Sequence, residues 1–229
     1  SFGLAADLSF KPDVGAPGGG IFSSYPLELG GGATLSGTSM SSPHVAGAAA
    51  LLLERAPVPA HLMAALMQNY SQPKPWSGNP GLGFLDFTFR QGGGMLDIPS
   101  ILNANAFVTP SDLSVGDSDA ADGGPFPRTI TIDNQSGVLT KWTVSHEPAL
   151  ASGPNLICNT GTCPTSYNTT GTFAAPATVV FDKTEVITPS RGIGTLVVTV
   201  TPNPGLPERS LYGGYIKLTS EFGKVVRVP

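Results

Sequence analysis

Two hydrophobic rhythms divide the chain near Asn105. Before that point, apolar residues form long runs or recur at helical spacing. Ala46 to Arg55 is rich in Ala and Leu and predicts a buried helix, ended by Pro57 and Pro59, which cannot continue one. Ala60 to Tyr70 predicts a second helix, with Leu62, Leu66 and Tyr70 at helical spacing. After Asn105 the runs are short and alternate with period two: Thr129 to Ile132, Lys141 to Val144, Thr178 to Phe181, Gly194 to Val200, Gly214 to Thr219 and Lys224 to Val228. Spacers rich in Pro, Gly, Ser and Asp separate them, so an antiparallel β-sandwich is expected. The expected domains are residues 1–105, α/β in character, and 106–229, all-β.

Composition narrows the function classes. The 229 residues are 40% hydrophobic and only 12% charged, which argues against charge-driven disorder, and 29 Gly with 22 Pro favour many turns. A net charge of −4 without a basic cluster leaves no footprint for nucleic acid or anionic lipid. The longest apolar run, Val45 to Leu53, is about half of what a membrane-spanning helix needs. No secretory leader is visible at Ser1 to Asp7, as expected of a processed piece or of a record that begins inside a longer protein. Cys158 and Cys163 flank a turn-rich tetrapeptide. A local disulfide fits; two free thiols, or a weak metal site lacking further ligands, are the alternatives. Asn69, Asn134 and Asn168 each open an Asn-X-Ser/Thr acceptor for glycosylation, and with a disulfide they point to a secreted protein. Asp117 to Gly124 reads as an exposed acidic loop, a weak calcium candidate because acidic turns are common on surfaces.

The chemistry concentrates in Gly37-Thr38-Ser39-Met40-Ser41-Ser42-Pro43-His44-Val45-Ala46-Gly47. Gly37 permits a sharp turn and close substrate approach. Ser39 lies where strand or loop gives way to a helix, whose free N–H groups favour negative charge. A lone Thr-Ser pair would read as a helix cap, with Pro43 suited to the first turn. The eleven-residue run does more: it closely resembles the nucleophile signature of the subtilisin-like serine protease (subtilase) family. That resemblance implies Ser39 as nucleophile, with its own N–H in the oxyanion hole and Gly37 and Thr38 at the substrate approach. Lys11 to Gly18 resembles a second family segment, and Gln91 to Asp97 the glycine-rich segment closing many subtilase catalytic domains. Arg209 to Leu218 resembles the late strands of the fibronectin-III-like domain of large secreted subtilases. The implied fold is the C-terminal part of an α/β subtilisin-like catalytic domain, then a fibronectin-III-like sandwich.

Two neighbours of Ser39 invite over-reading. His44 is tempting as general base, but the resemblance makes it a packing residue. Asp13 is tempting as the triad carboxylate, yet subtilases place Asp, then His, then Ser along the chain, with the Asp far upstream of the Lys-Pro-Asp segment. His61 and His146 lack the context of a base. The triad Asp, the base His and an oxyanion Asn are therefore expected on an N-terminal portion, the fragment partner of this chain. The expected activity is endopeptidase cleavage of polypeptide substrates, without a cofactor. A second reading makes the chain a non-catalytic accessory or binding fragment whose sandwich is the working part.

Overall fold

A computed structural model describes residues 3–55, 58–117, 123–153, 172–174, 177–206 and 210–229, with the backbone alone at 172–173. Cys158, Cys163 and Asn168 lie outside the described residues, as does most of the acidic loop.

Strands β1 (Ile21–Ser24) and β2 (Gly32–Leu35) form an antiparallel hairpin around a short 3-10 turn at Leu27–Leu29. β2 leads through Ser36 and Gly37 into helix α1 (Thr38–Arg55), and helix α2 (Ala60–Asn69) follows. Two short helices, α3 (Thr88–Gln91) and α4 (Ile98–Leu102), flank the glycine-rich segment. Asp97 caps α4: its Oδ1 accepts from the Ser100 N–H at 3.1 Å and its Oδ2 from the Ser100 hydroxyl at 2.9 Å. α2 matches its expected run to within one residue, and α1 contains its run but begins eight residues earlier, at Thr38; the burial does not agree. In α1 only Ala48 and Leu52 are buried, while Leu51 and Leu53 are exposed. Among the described residues nothing packs over that side, so the expectation of a buried helix is corrected to a helix buried along one narrow stripe.

The remainder is β-structure: β3 (Ala106–Thr109), β4 (Phe126–Asn134), β5 (Thr140–Pro148), β6 (Ala151–Ser152), β7 (Thr172–Phe173), β8 (Thr178–Phe181), β9 (Glu185–Thr188), β10 (Ile193–Thr201), β11 (Gly214–Ser220) and β12 (Val225–Val228). One four-stranded sheet runs β3-β4-β10-β8, the other β12-β11-β5-β9, and every pairing within them is antiparallel. Alternation puts Ile130, Ile132, Leu196 and Val198 of the first sheet against Trp142, Val144, Leu218 and Val226 of the second in one core. Each such side chain contributes about 1.5–3 kcal/mol by leaving water. The buried Trp142 indole donates to Thr188 Oγ1 at 3.1 Å, and that hydroxyl donates to the Thr140 carbonyl at 3.1 Å, so no polar atom of the set is stranded.

The core does not stop at residue 105. Leu52, Leu66, Met67, Tyr70 and Ile101 belong to the same cluster as the sandwich residues. Tyr70 sits at the joint, its hydroxyl donating to the Ala106 carbonyl at 3.1 Å and accepting from the Ala106 N–H at 3.2 Å. Burial pushes its pKa up to about 12.

Two proposed glycosylation sites fall inside this packing. Asn69 is 1% exposed, and its Nδ2 donates to the carbonyls of Ser111 and Arg227. Asn134 is also 1% exposed. Its Nδ2 donates to the Val138 and Pro189 carbonyls, and its Oδ1 accepts from Ser136. Both side-chain amides staple the fold and have no room for a sugar. The sequon reading at these positions is corrected on that ground.

Candidate active site around Ser39

The local chemistry of the Ser39 turn explains its shape. Gly37 has a φ of 154°, a value that side-chain-bearing residues rarely adopt, and it turns the chain from β2 into α1. Ser39 is the second residue of α1 and is exposed. Its N–H lies in the first helical turn, where no carbonyl of the helix itself can reach it. Pro43, four residues on, has no N–H to offer the Ser39 carbonyl. The turn thus presents a hydroxyl and a free backbone donor side by side, the pair needed for attack on a carbonyl and for holding the resulting oxyanion.

The segment Lys11 to Gly18 docks directly beneath. Gly37 N–H donates to the Gly18 carbonyl at 2.7 Å, Ser41 Oγ donates to the Ala16 carbonyl at 2.9 Å, and Gly20 N–H donates to Ser36 Oγ at 2.8 Å. A Cβ at Gly18 would run into Ser41 Oγ and sit 2.8 Å from the Gly37 carbonyl oxygen. The glycine there is a packing requirement.

The glycine-rich segment supports that layer from the other side. Gly15 N–H donates to the Gly94 carbonyl and Leu96 N–H to the Gly15 carbonyl, both at 2.8 Å. Gly93 N–H donates to the Asp13 carbonyl at 2.9 Å, and Gln72 and Met95 exchange two bonds of 2.8 Å. Three segments far apart in sequence, 11–18, 37–47 and 91–97, therefore form one hydrogen-bonded assembly.

The tempting triad members are occupied elsewhere. His44 donates its Nδ1–H to the Met40 carbonyl at 2.8 Å, one turn back along α1. Asp13 forms an exposed ion pair with Lys11 at 2.8 Å, and its carbonyl serves Gly93. His61 is exposed on α2, and His146 lies opposite Ile216 in the β5–β11 pair. Burial lowers the His146 pKa, and Glu147 partly opposes this. Among the described residues no group of three or more His, Cys, Asp or Glu side chains could hold a metal. Among the described residues no single helix is long and apolar enough to cross a membrane.

Motif reading missed the polar network where the sandwich meets this assembly. Glu147 accepts from Lys217 Nζ at 2.7 Å and from Arg227 Nε at 2.8 Å, and Arg227 Nη1 donates to Gln72 Oε1 at 3.2 Å. Burial works to raise the Glu147 pKa, but the bonds and charges of Arg227 and Lys217 outweigh it and hold the carboxyl below its usual range. Tyr215 is fully buried, and its hydroxyl donates to the Gly92 carbonyl at 2.9 Å. Burial pushes its pKa up, so it stays a neutral donor. Only the alternation of β5, β11 and β12 hinted at these residues.

Residues 1–92, which hold the exposed serine at the helix start and the 11–18 segment that locks its turn, match the model of the Subtilase family, Peptidase_S8. Over this part the chain is similar to subtilases, and its named relatives are proteases. It is 52% identical to pyrolysin of Pyrococcus furiosus over 56 residues, covering 24% of this chain and 4% of that protein. It is 31% identical to the minor extracellular protease Vpr of Bacillus subtilis over 143 residues, covering 59% of this chain and 17% of that protein. Thermitase of Thermoactinomyces vulgaris is 48% identical over 54 residues, 24% of this chain and 19% of thermitase. The chain thus spans only a small part of each. Among solved structures, the ASH/PapD-like domain of human CEP192 covers 45% of this chain and 67% of its own at 14% identity and a TM-score of 0.32, a likeness too slight to carry an argument.

Proposed function

We propose that the intact protein is a secreted serine endopeptidase in which Ser39 attacks the peptide carbonyl and forms the acyl-enzyme. The observation that carries this is the exposed Ser39 at the start of α1, its hydroxyl beside its own backbone N–H, on a turn held by the 11–18 and 91–97 segments. In this reading the base His, its orienting Asp and an oxyanion Asn come from a polypeptide portion N-terminal to this sequence. Removing any triad member from such a site leaves only residual catalysis, so the chain by itself is inactive. The uncovered apolar side of α1 supports the partner: Leu51 and Leu53 there, with Phe22 and Leu27 of the hairpin at 75% and 88% exposure, are what the rest of an α/β domain would cover. Extracellular location is supported by the relatives' names. The fibronectin-III-like reading of the sandwich rests on the late-strand motif alone.

The test is labelling of the full-length protein by a fluorophosphonate probe. Ser39 is the expected site, and Ser39→Ala abolishes the label. Full-length folded protein that never labels at Ser39 excludes the endopeptidase and leaves the accessory-fragment reading.

A further inference from the structure

We infer that the β-sandwich is a positioning element for the nucleophile turn, acting through Tyr215 and Arg227 on the glycine-rich segment; this rests on the reading of Ser39 as nucleophile. The route is a continuous set of hydrogen bonds. Tyr215, on β11, holds the Gly92 carbonyl at 2.9 Å from a fully buried position. Arg227, on β12, reaches Gln72 Oε1 at 3.2 Å while its Nε donates to Glu147, which Lys217 also binds, and its carbonyl takes the Asn69 Nδ2 at 2.8 Å. Gln72 is paired through its backbone with Met95, the 91–97 segment with Asp13 and Gly15, and the 11–18 segment with Gly37 and Ser41 on either side of Ser39.

The Tyr215 link ends on a fully buried side chain, the Arg227–Gln72 and Ser41–Ala16 links on part-buried ones, and the remaining links are backbone-to-backbone. Tyr215 and Arg227 touch no reacting atom; they act by holding the layer on which the Ser39 turn rests. Misplacement by a fraction of an ångström at an attacking oxygen slows acylation without weakening substrate binding, because geometry at the reacting atoms enters the rate rather than the affinity. A sandwich that only stabilised the chain would change melting temperature and leave acylation by folded protein untouched.

The experiment uses the full-length protein and compares Tyr215→Phe, Arg227→Lys and Ile130→Val. The last thins the sandwich core away from the contact. Tyr215→Phe removes one hydroxyl, and Arg227→Lys keeps a cation near Glu147 while removing the guanidinium fork that also reaches Gln72. Both slow phosphonylation of Ser39 and lower kcat about five-fold with KM unchanged, roughly the factor one buried hydrogen bond is worth. Ile130→Val lowers the melting temperature and leaves both rates at the wild-type value. If Tyr215→Phe does not accumulate folded, Arg227→Lys decides alone. Wild-type rates in the folded contact variants, or equal slowing in Ile130→Val, overturn the positioning role. Wild-type protein that does not label at Ser39 overturns the parent reading instead.

Discussion

At the residue scale, the Ser39 turn depends on what neighbouring positions lack. Gly18 has no Cβ because Ser41 Oγ and the Gly37 carbonyl fill that space. Gly18→Ala must push the 11–18 segment off the start of α1. A destabilisation of about 1–3 kcal/mol is expected from such overpacking, together with slower labelling of Ser39. Denaturant midpoints and probe kinetics on the same preparation check both. The residue scale was also where sequence reading was sharpest. Gly37, Ser39 and Pro43 lie within seven consecutive residues, and their chemistry is local. It was weakest at Asn69 and Asn134, where a tripeptide cannot say that its amide faces inward.

At the element scale, the contact between the sandwich and the 91–97 layer carries a charge that titrates. Glu147 has its pKa held low by Arg227 and Lys217 against the opposing effect of burial. The sign follows from proton binding: the unfolded chain takes up the proton at higher pH than the folded one. The contribution is therefore present above the ordinary glutamate value of about 4.3 and is lost as pH falls through the lowered folded value. Glu147→Gln should lower stability at neutral pH, by about 1 kcal/mol for so accessible a set, and should flatten the acid limb of melting temperature against pH. An unchanged acid limb would place the acid sensitivity elsewhere. Strand identity in this region was legible from alternation, as β8 shows, its bounds matching the apolar run. β3 and β9, no shorter than β8, were not read; they are established by their pairing with β4 and β5, which sequence does not name.

At the scale of the whole molecule, burial is uneven along the chain. The sandwich and its joint with α2 share a continuous buried core; large apolar side chains stay in water on both parts, most fully on the β1–β2 hairpin, where Phe22 and Leu27 are 75% and 88% exposed. Residues 1–229 expressed alone should bind a hydrophobic dye such as ANS and self-associate. Co-expression with the proposed N-terminal portion should quench dye binding and give a one-to-one complex, measured by fluorescence and light scattering. Dye binding that persists in that complex would mean the apolar side is not where the portion docks.

The sequence by itself determined the helix start at Ser39, the runs that lie in α1 and α2, and most strands, because each is written in contiguous residues: a turn motif, a helical run, a period of two. Only the tertiary structure decided that the two parts share one core, that Asn69 and Asn134 are internal staples, and that Tyr215 meets Gly92 across 123 positions of chain. Such contacts depend on how the sheets and helices pack. A buried hydroxyl and an exposed one are written with the same letter.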